Sequence, residues 1–280
     1  MLHPANLNLR VNTLKEKSIS KVVDDLIINF PHLKDKITKT NLSPICISLP
    51  RGTSIQRENL FLDGIIEVQD EGSQILSYLV NPKRGSMVAD FCAGAGGKTL
   101  AISAIMKNTG RLYAFDISDK RLANLKKRLK RSGASNIMPQ KIMHENDTKI
   151  KRLREKFDRV LVDAPCTGLG TLRRNPDLKW KHSLESLKEL NIKQSLIINA
   201  ASKLCKIGAH LIYATCSFLK EENETIVENF LSDNINFRVL SPDSIFIKYG
   251  IPLKSDKYIK LKPDEHKTDG FFAVILERFK

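Results

Sequence analysis

Apolar positions change their rhythm once along this chain, near residue 80. Before that point the pattern is short and mixed. Leu7-Asn-Leu-Arg-Val-Asn12 alternates with period two, which predicts a strand with one buried face. Ser18 is placed to cap a helix running to about Asn29. Pro44 to Leu49 reads as a second strand, and Gln74 to Val80 as a further helix. Asn81-Pro-Lys-Arg-Gly85 then breaks the pattern and marks a linker. Beyond it, continuous β-branched runs alternate with amphipathic stretches. Strands are predicted over 87–91, 111–115, 137–142, 159–162 and 209–214, with helices over 97–107, 118–132, 184–205 and after Glu222. Late strands fall near Phe237 and Phe272. Repeated strand–loop–helix units predict an α/β fold with a mostly parallel, doubly wound sheet over 81–280. Residues 1–80 read as a small α+β module in front of it.

Composition narrows the class. A chain of 280 residues with 41% hydrophobic positions can bury one large core and a small companion. No apolar stretch approaches the roughly 18 residues of a membrane span. Met1-Leu-His-Pro-Ala-Asn lacks a basic segment followed by an apolar one, so no leader and a cytoplasmic protein are expected. The net charge of +15, from 46 Lys+Arg against 31 Asp+Glu, favours a polyanionic partner. Basic clusters lie at 120–131 and 149–156, which also suit solvated helix faces. Arg173-Arg174, close to a motif described below, is the better candidate for a phosphate clamp. The cysteines (46, 92, 166, 205 and 216) are odd in number and show neither a C-x-x-C pair nor zinc-site spacing. Free thiols, a reducing compartment and no metal are expected. Cys46 and Cys205 read as packing residues.

The chemistry is carried by three strand ends. Asp90-Phe-Cys92-Ala93-Gly94-Ala95-Gly96-Gly97-Lys98-Thr99 joins a strand to a helix, where glycines permit a tight turn and the helix N-terminus offers unpaired N–H donors. A P-loop would need glycine at position 92, which is cysteine, and a dinucleotide fingerprint would need it at 99, which is threonine. The next strand ends at Asp116, where an acid can accept both ribose hydroxyls; helix capping near Ser118 is the structural alternative. Asp147, or Asn146 beside it, ends the third unit and can face an adenine, or serve as a plain loop acid. Cys166, in Asp163-Ala-Pro-Cys166-Thr-Gly168, and Cys216, in Ala214-Thr-Cys216-Ser217, each follow a buried strand. A thiol at a strand's carboxyl end can attack an electrophilic carbon. Asp163 can bond a heterocycle's amine or ring nitrogen, or simply stabilise its turn.

These motifs resemble the Sun family of RNA (cytosine-5) methyltransferases, and the resemblance covers nearly the whole chain. It runs from Leu9-Arg-Val-Asn12 through Gln69-Asp-Glu-Gly-Ser73 and Arg173-Arg-Asn-Pro-Asp177 to Pro263-Asp-Glu-His266-Lys-Thr268-Asp269-Gly-Phe-Phe272. It implies a Rossmann-like catalytic domain and S-adenosylmethionine held by Cys92 to Lys98, Asp116, Asp147 and Asp163. It implies an RNA partner, with small-subunit ribosomal RNA favoured and tRNA the alternative, and a monomeric enzyme. By resemblance, Cys216 adds to C6 of cytosine, Cys166 helps remove the C5 proton, and Asp163 with Lys98 polarises the base. Exchanged thiol roles and a catalytically idle RNA-binding or assembly factor are the rivals. Two departures stand out. The loop reads Cys92-Ala-Gly-Ala-Gly-Gly-Lys98 where the family commonly has C-A-A-P-G-G-K, and the sequence begins almost directly at the core, either as a stand-alone short form or without the N-terminal helical domain that larger bacterial members carry.

Overall fold

The computed structural model describes residues 4–280; Met1, Leu2 and His3, part of the segment read for a leader, lie outside the described residues. The N-terminal unit is built on β1 (Leu7–Val11), α1 (Ile19–Asn29), β2 (Thr38–Lys39), β3 (Cys46–Leu49), α2 (Asn59–Leu62) and β4 (Ile66–Val68). Its four strands form an antiparallel sheet in the order β2-β3-β1-β4. Ser18 caps α1 by accepting from the Lys21 N–H, and Val22 and Leu26 face a core with Leu9, Val11, Ile47 and Leu49. The alternation read at 7–12 is thus a strand at the centre of a small sheet.

The second unit contains α3 (Glu71–Leu79), β5 (Met87–Asp90), α4 (Gly97–Ile105), β6 (Arg111–Asp116), α5 (Asp119–Ser132), β7 (Ile137–Lys141), α6 (Thr148–Lys151), β8 (Phe157–Asp163), α7 (Leu184–Ser202) and β9 (Cys205–Thr215). It ends with α8 (Glu224–Asp233), β10 (Phe237–Leu240), α9 (Asp243–Tyr249), β11 (Ile259–Leu261), α10 (Pro263–His266) and β12 (Phe271–Arg278). The sheet order is β10-β12-β9-β8-β5-β6-β7, with β11 paired to β12. Strands β5 to β9 are parallel, whereas β12 inserts antiparallel beside β9, so the sheet is mixed. Buried positions alternate between two layers. Leu161, Ile212 and Ala214 face α3, α4 and α5, while Val160, Val162, Leu211 and Tyr213 face α7 and α8. This two-sided burial explains why the strands read as unbroken apolar runs.

Several local readings change. The helix expected over 184–205 stops at Ser202, and β9 opens at Cys205. The β8–β9 register jumps between Phe157↔Cys205 and Arg159↔His210, so residues 206–209 bulge out of the ladder around the left-handed Gly208. The helix expected to close the first module is α3, whose Ile75, Leu76 and Leu79 pack into the core of the large sheet. The basic run at 120–131 is α5, which buries Leu122 and Leu125. Two of its arginines do not face solvent: Arg128 and Arg131 close on the buried Glu67 carboxylate of β4 at 2.8 and 2.7 Å and tie the two units together. Among the described residues no helix is long and apolar enough to cross a membrane.

Candidate active site

The chain runs β5, β6, β7 toward one edge of the sheet and then returns through β8 and β9 toward the other. The reversal leaves a crevice beyond the carboxyl ends of β5 and β8, the usual ligand site of an open α/β sheet. Register fixes what meets there. Asp163 pairs with Ala214, so the chains leaving β8 and β9 run side by side and deliver Cys166 and Cys216 to one place. Their Sγ atoms lie 3.5 Å apart. Lys98, on the first turn of α4, reaches across from the β5 side and places Nζ 2.7 Å from Asp163 Oδ2. The four residues singled out for chemistry are therefore one cluster.

The two thiols are not equivalent. The hydrogen bond between the two sulfurs lowers the Cys216 pKa against the opposing effects of burial and of Asp163, and the Lys98 ammonium adds to the lowering. The same hydrogen bond, burial and the Glu222 carboxylate push Cys166 well above an ordinary thiol. The hydrogen bond itself is the largest cause of the asymmetry; near Cys216 the Asp163 carboxylate and the Lys98 ammonium act in opposite directions, while Glu222 adds to the rise at Cys166. Cys216 is thus the more acidic of the two sulfurs. Lys98 keeps its proton: burial works against the ammonium, but Asp163 overrides it. Cys92 lies in the loop without joining the pair, and burial pushes its thiol up strongly. Cys46 and Cys205 are buried and their pKa values are pushed up to about 12, as packing residues.

The loop after β5 and the end of β6 form one cradle. The Gly94 N–H donates to Asp116 Oδ2 at 2.8 Å, while Asp116 Oδ1 accepts from the Ser118 N–H at 2.8 Å. Asp116 thus faces the loop and also steadies the start of α5, the structural alternative read for it. Gly96 has φ +84 and caps α4; a Cβ there would sit 2.2 Å from Leu125 Cδ1. Only glycine allows the loop to lie this close to α5. The first N–H groups of α4 have no intrahelical partner and point outward past this turn. Backbone donors, an acid at the end of β6 and the Lys98–Asp163 pair are groups that fit an adenosine-bearing sulfonium. Asp147 lies farther round the edge, where its oxygens accept from Met143 N and Lys149 N at 2.8 and 2.9 Å; Asn146 beside it is exposed.

One expectation fails. Arg173 and Arg174 are not a free phosphate clamp. Arg174 binds Asp269 Oδ2 at 2.6 Å, Asp70 Oδ2 at 2.9 Å and the Asn6 carbonyl at 2.9 Å. Arg173 donates to the carbonyls of Thr268 and Lys267. Two acids distant in sequence, Asp70 and Asp269, neutralise the pair and turn it into a joint between the N-terminal unit and the catalytic edge. Residues missed from the sequence are Thr167, Glu222 and Asn223, which lie directly behind the two thiols. The acidic run Glu221-Glu222-Asn223-Glu224 was legible only as the start of a helix.

A Rossmann-like sheet with this cradle defines the S-adenosylmethionine-dependent methyltransferase class. Comparison with known proteins is more specific. Residues 77–277 match the 16S rRNA methyltransferase RsmB/F family, and the chain belongs to it. A probable ribosomal RNA small subunit methyltransferase B of Bacillus subtilis is 30% identical over 278 residues, 99% of this chain and 61% of the relative. A human 28S rRNA (cytosine(4447)-C(5))-methyltransferase is 29% identical over 292 residues, 99% of this chain and 35% of its own length. A crystal structure of a methyltransferase homologue from Pyrococcus horikoshii superposes with a TM-score of 0.79 at 28% identity, covering 98% of this chain and 87% of that one. The chain spans about three fifths of the Bacillus relative's length.

Proposed function

We propose that this protein transfers a methyl group from S-adenosylmethionine to C5 of a cytosine in RNA, through a covalent adduct between Cys216 and C6. The observation that carries the reading is the pair of thiols 3.5 Å apart at adjacent strand ends, beside the Lys98–Asp163 ion pair. Cytosine C5 is a poor nucleophile on its own. Addition of the Cys216 thiolate to C6 places an electron pair on C5, which can then take a methyl group. S-adenosylmethionine, when bound, supplies that methyl as an electrophilic carbon on a sulfonium. Asp163 and Lys98 hold and polarise the base during addition. Once Cys216 is bonded to carbon, Cys166 loses that hydrogen-bond partner and gives its own proton to water. As a thiolate it takes the C5 proton, and the C5–H electron pair re-forms the C5–C6 double bond as Cys216 leaves as a thiolate. The bound cofactor is assigned to the loop from Cys92 through Ala93, Gly94, Ala95, Gly96 and Gly97 to Lys98. Asp116 is assigned to its ribose, Asp147 to its adenine and Asp163 to the reacting end.

Small-subunit ribosomal RNA is the favoured substrate, in keeping with the family, with tRNA second. The charge of +15, and a cleft of about 530 Å³ between the N-terminal unit and the catalytic edge whose lining includes Lys39, His266 and Lys267 along with Glu71 and Asp264, support an RNA path there. The test is transfer of labelled methyl to small-subunit ribosomal RNA and, separately, to tRNA, with Cys216→Ala as control. Label in 5-methylcytosine that vanishes in the control supports the reading. Cofactor binding and RNA affinity with no transfer to any cytosine would leave a binding factor instead. If Cys216→Ala still traps 5-fluorocytosine RNA while Cys166→Ala does not, the thiol roles are reversed.

A further inference from the structure

Behind the two thiols lie two adjacent residues at the far end of the β9–α8 connection, and each holds one of the cysteine turns. Glu222 is buried, and it faces the Cys166 loop. Its Oε1 accepts from the Thr167 N–H at 2.8 Å and Oε2 from the Thr167 hydroxyl at 2.6 Å. Gln194 closes the other side, donating from one amide nitrogen to Glu222 Oε1 at 3.0 Å and to the Pro165 carbonyl at 2.9 Å. The backbone on both sides of Cys166 is therefore fixed through Glu222 and its partner. All of these donors to the carboxyl group are neutral.

Asn223 is buried as well, and it faces the other loop. Its Oδ1 accepts from the Thr215 hydroxyl at 2.5 Å, and its Nδ2 donates to the Ser217 carbonyl at 3.0 Å. Those two residues flank Cys216. The turn carrying the pair is itself anchored: the Tyr213 hydroxyl donates to the Glu222 carbonyl at 2.7 Å. A final link, Thr167 Oγ1 to Ser217 Oγ at 3.2 Å, joins the loops directly. A one-residue step along a rigid backbone thus carries the spacing from one cysteine loop to the other. Asn223 has φ −114 and ψ −98, outside the helical and extended regions. A residue held in such a conformation needs its surroundings to impose it.

We propose that Glu222 and Asn223 are positioning residues that hold the two thiols in register, Glu222 serving the release step at Cys166 and Asn223 the addition step at Cys216. This rests on the methyltransferase reading, and the experiment separates the two. A bifunctional thiol reagent, dibromobimane, bridges only sulfurs held a few ångströms apart, and peptide mass spectrometry locates the bridge without any RNA. Wild-type protein is expected to bridge Cys166 to Cys216. Glu222→Gln and Asn223→Ala are each expected to lower the bridging rate about tenfold while single alkylation of Cys216 continues. Bridging as fast as wild type in both variants overturns the proposal, whatever the substrate proves to be.

The second readout uses RNA. Asn223→Ala is expected to slow trapping by 5-fluorocytosine RNA about tenfold. Glu222→Gln is expected to trap within about threefold of wild type, yet to turn over ordinary RNA about tenfold more slowly and accumulate the covalent adduct. Equal losses at both steps in both variants would mean general damage and overturn the division of roles. Failure of the wild type to trap RNA strikes the functional reading alone, since the bridging result stands by itself. Thr167→Val, which removes the hydroxyl and keeps the carboxylate, guards against a misfolded Glu222 variant and is expected to show the same release defect in milder form.

Discussion

Replacing Gly96 by alanine tests how the cofactor loop is built. Two costs add at this position. The backbone has φ +84, where an L side chain pays about 1–2 kcal/mol. The new Cβ would also sit 2.2 Å from Leu125 Cδ1, and Leu125 is fully buried under the loop. Forcing a methyl into a packed site typically costs about 1–3 kcal/mol. Gly96→Ala should therefore destabilise the protein by about 2–5 kcal/mol, or roughly 5–15 °C in Tm for a domain of this size. Gly94 supplies the internal control. It too has positive φ, +57, but a Cβ there meets nothing within 4 Å, so Gly94→Ala should cost only the backbone term of about 1–2 kcal/mol. Thermal and denaturant unfolding of both variants measure the difference. Calorimetric titration with S-adenosylmethionine shows whether displacement of the loop also weakens binding, as expected more for Gly96→Ala. Trimming Leu125 to alanine in the Gly96→Ala background should cost at least about 1 kcal/mol less than in the wild type, because it relieves the overlap. Equal stabilities for the two glycine variants, with additive effects of Leu125→Ala, would refute the close approach of loop and α5.

Three further outcomes follow from buried charge. Glu67→Gln should destabilise by about 3–5 kcal/mol in denaturant unfolding, because Arg128 and Arg131 lose the carboxylate that both bind, and Arg10, buried beside it, loses a compensating charge; a loss below 1 kcal/mol would mean that water already serves these guanidiniums. Burial pushes the Asp90 carboxyl up to about 7, so between about pH 4 and 7 the folded chain holds a proton that the unfolded chain releases. That contribution, on the order of 4 kcal/mol, is complete below about pH 4 and fades as pH rises through 7; Asp90→Asn, which can still accept from the Thr99 hydroxyl, should flatten that part of the pH–stability curve. Lys98→Met removes the cation that favours the Cys216 thiolate, so the pH profile for alkylation of Cys216 should move to higher pH, and its rate near neutrality should fall about threefold or more; an unmoved profile would show that Cys166 alone sets the acidity.

The sequence exposed what depends on local pattern. Period-two alternation marked β1, capping serines marked the starts of α1 and α5, and the doubly buried runs marked β8 and β9, so both cysteines were correctly placed at strand ends. It concealed what depends on pairing. At residues 206–209 Gly208 is the one local hint of a bulge, and its extent is set by the register against β8. The antiparallel insertion of β12 beside β9 was hidden for the same reason, since an apolar run does not carry its direction. Arg173-Arg174 misled because its partners, Asp70 and Asp269, lie about a hundred residues away on either side.

The same limit bears on the two thiols, whose roles are assigned in the sequence by resemblance and not by a local difference. Both cysteines leave similar strands into similar turns, with Asp163 three residues before Cys166 as a charge legible in the motif. Other parts of the fold add to their difference: Lys98 from the first turn of α4, set against Asp163 near Cys216, and Glu222 from the turn before α8. These groups modulate an asymmetry whose largest cause is the hydrogen bond between the sulfurs. Exchanging the two roles would therefore take more than swapping loop residues. It would require moving the charge carried by α4, or neutralising the one before α8, which is why Lys98→Met and Glu222→Gln bear on opposite ends of one asymmetry. The double variant should bring the reactivities of the two thiols closer together than either single one. If competitive alkylation instead shows Cys216 as dominant in the double variant as in the wild type, the source of its acidity lies in the loop backbone and not in these charges.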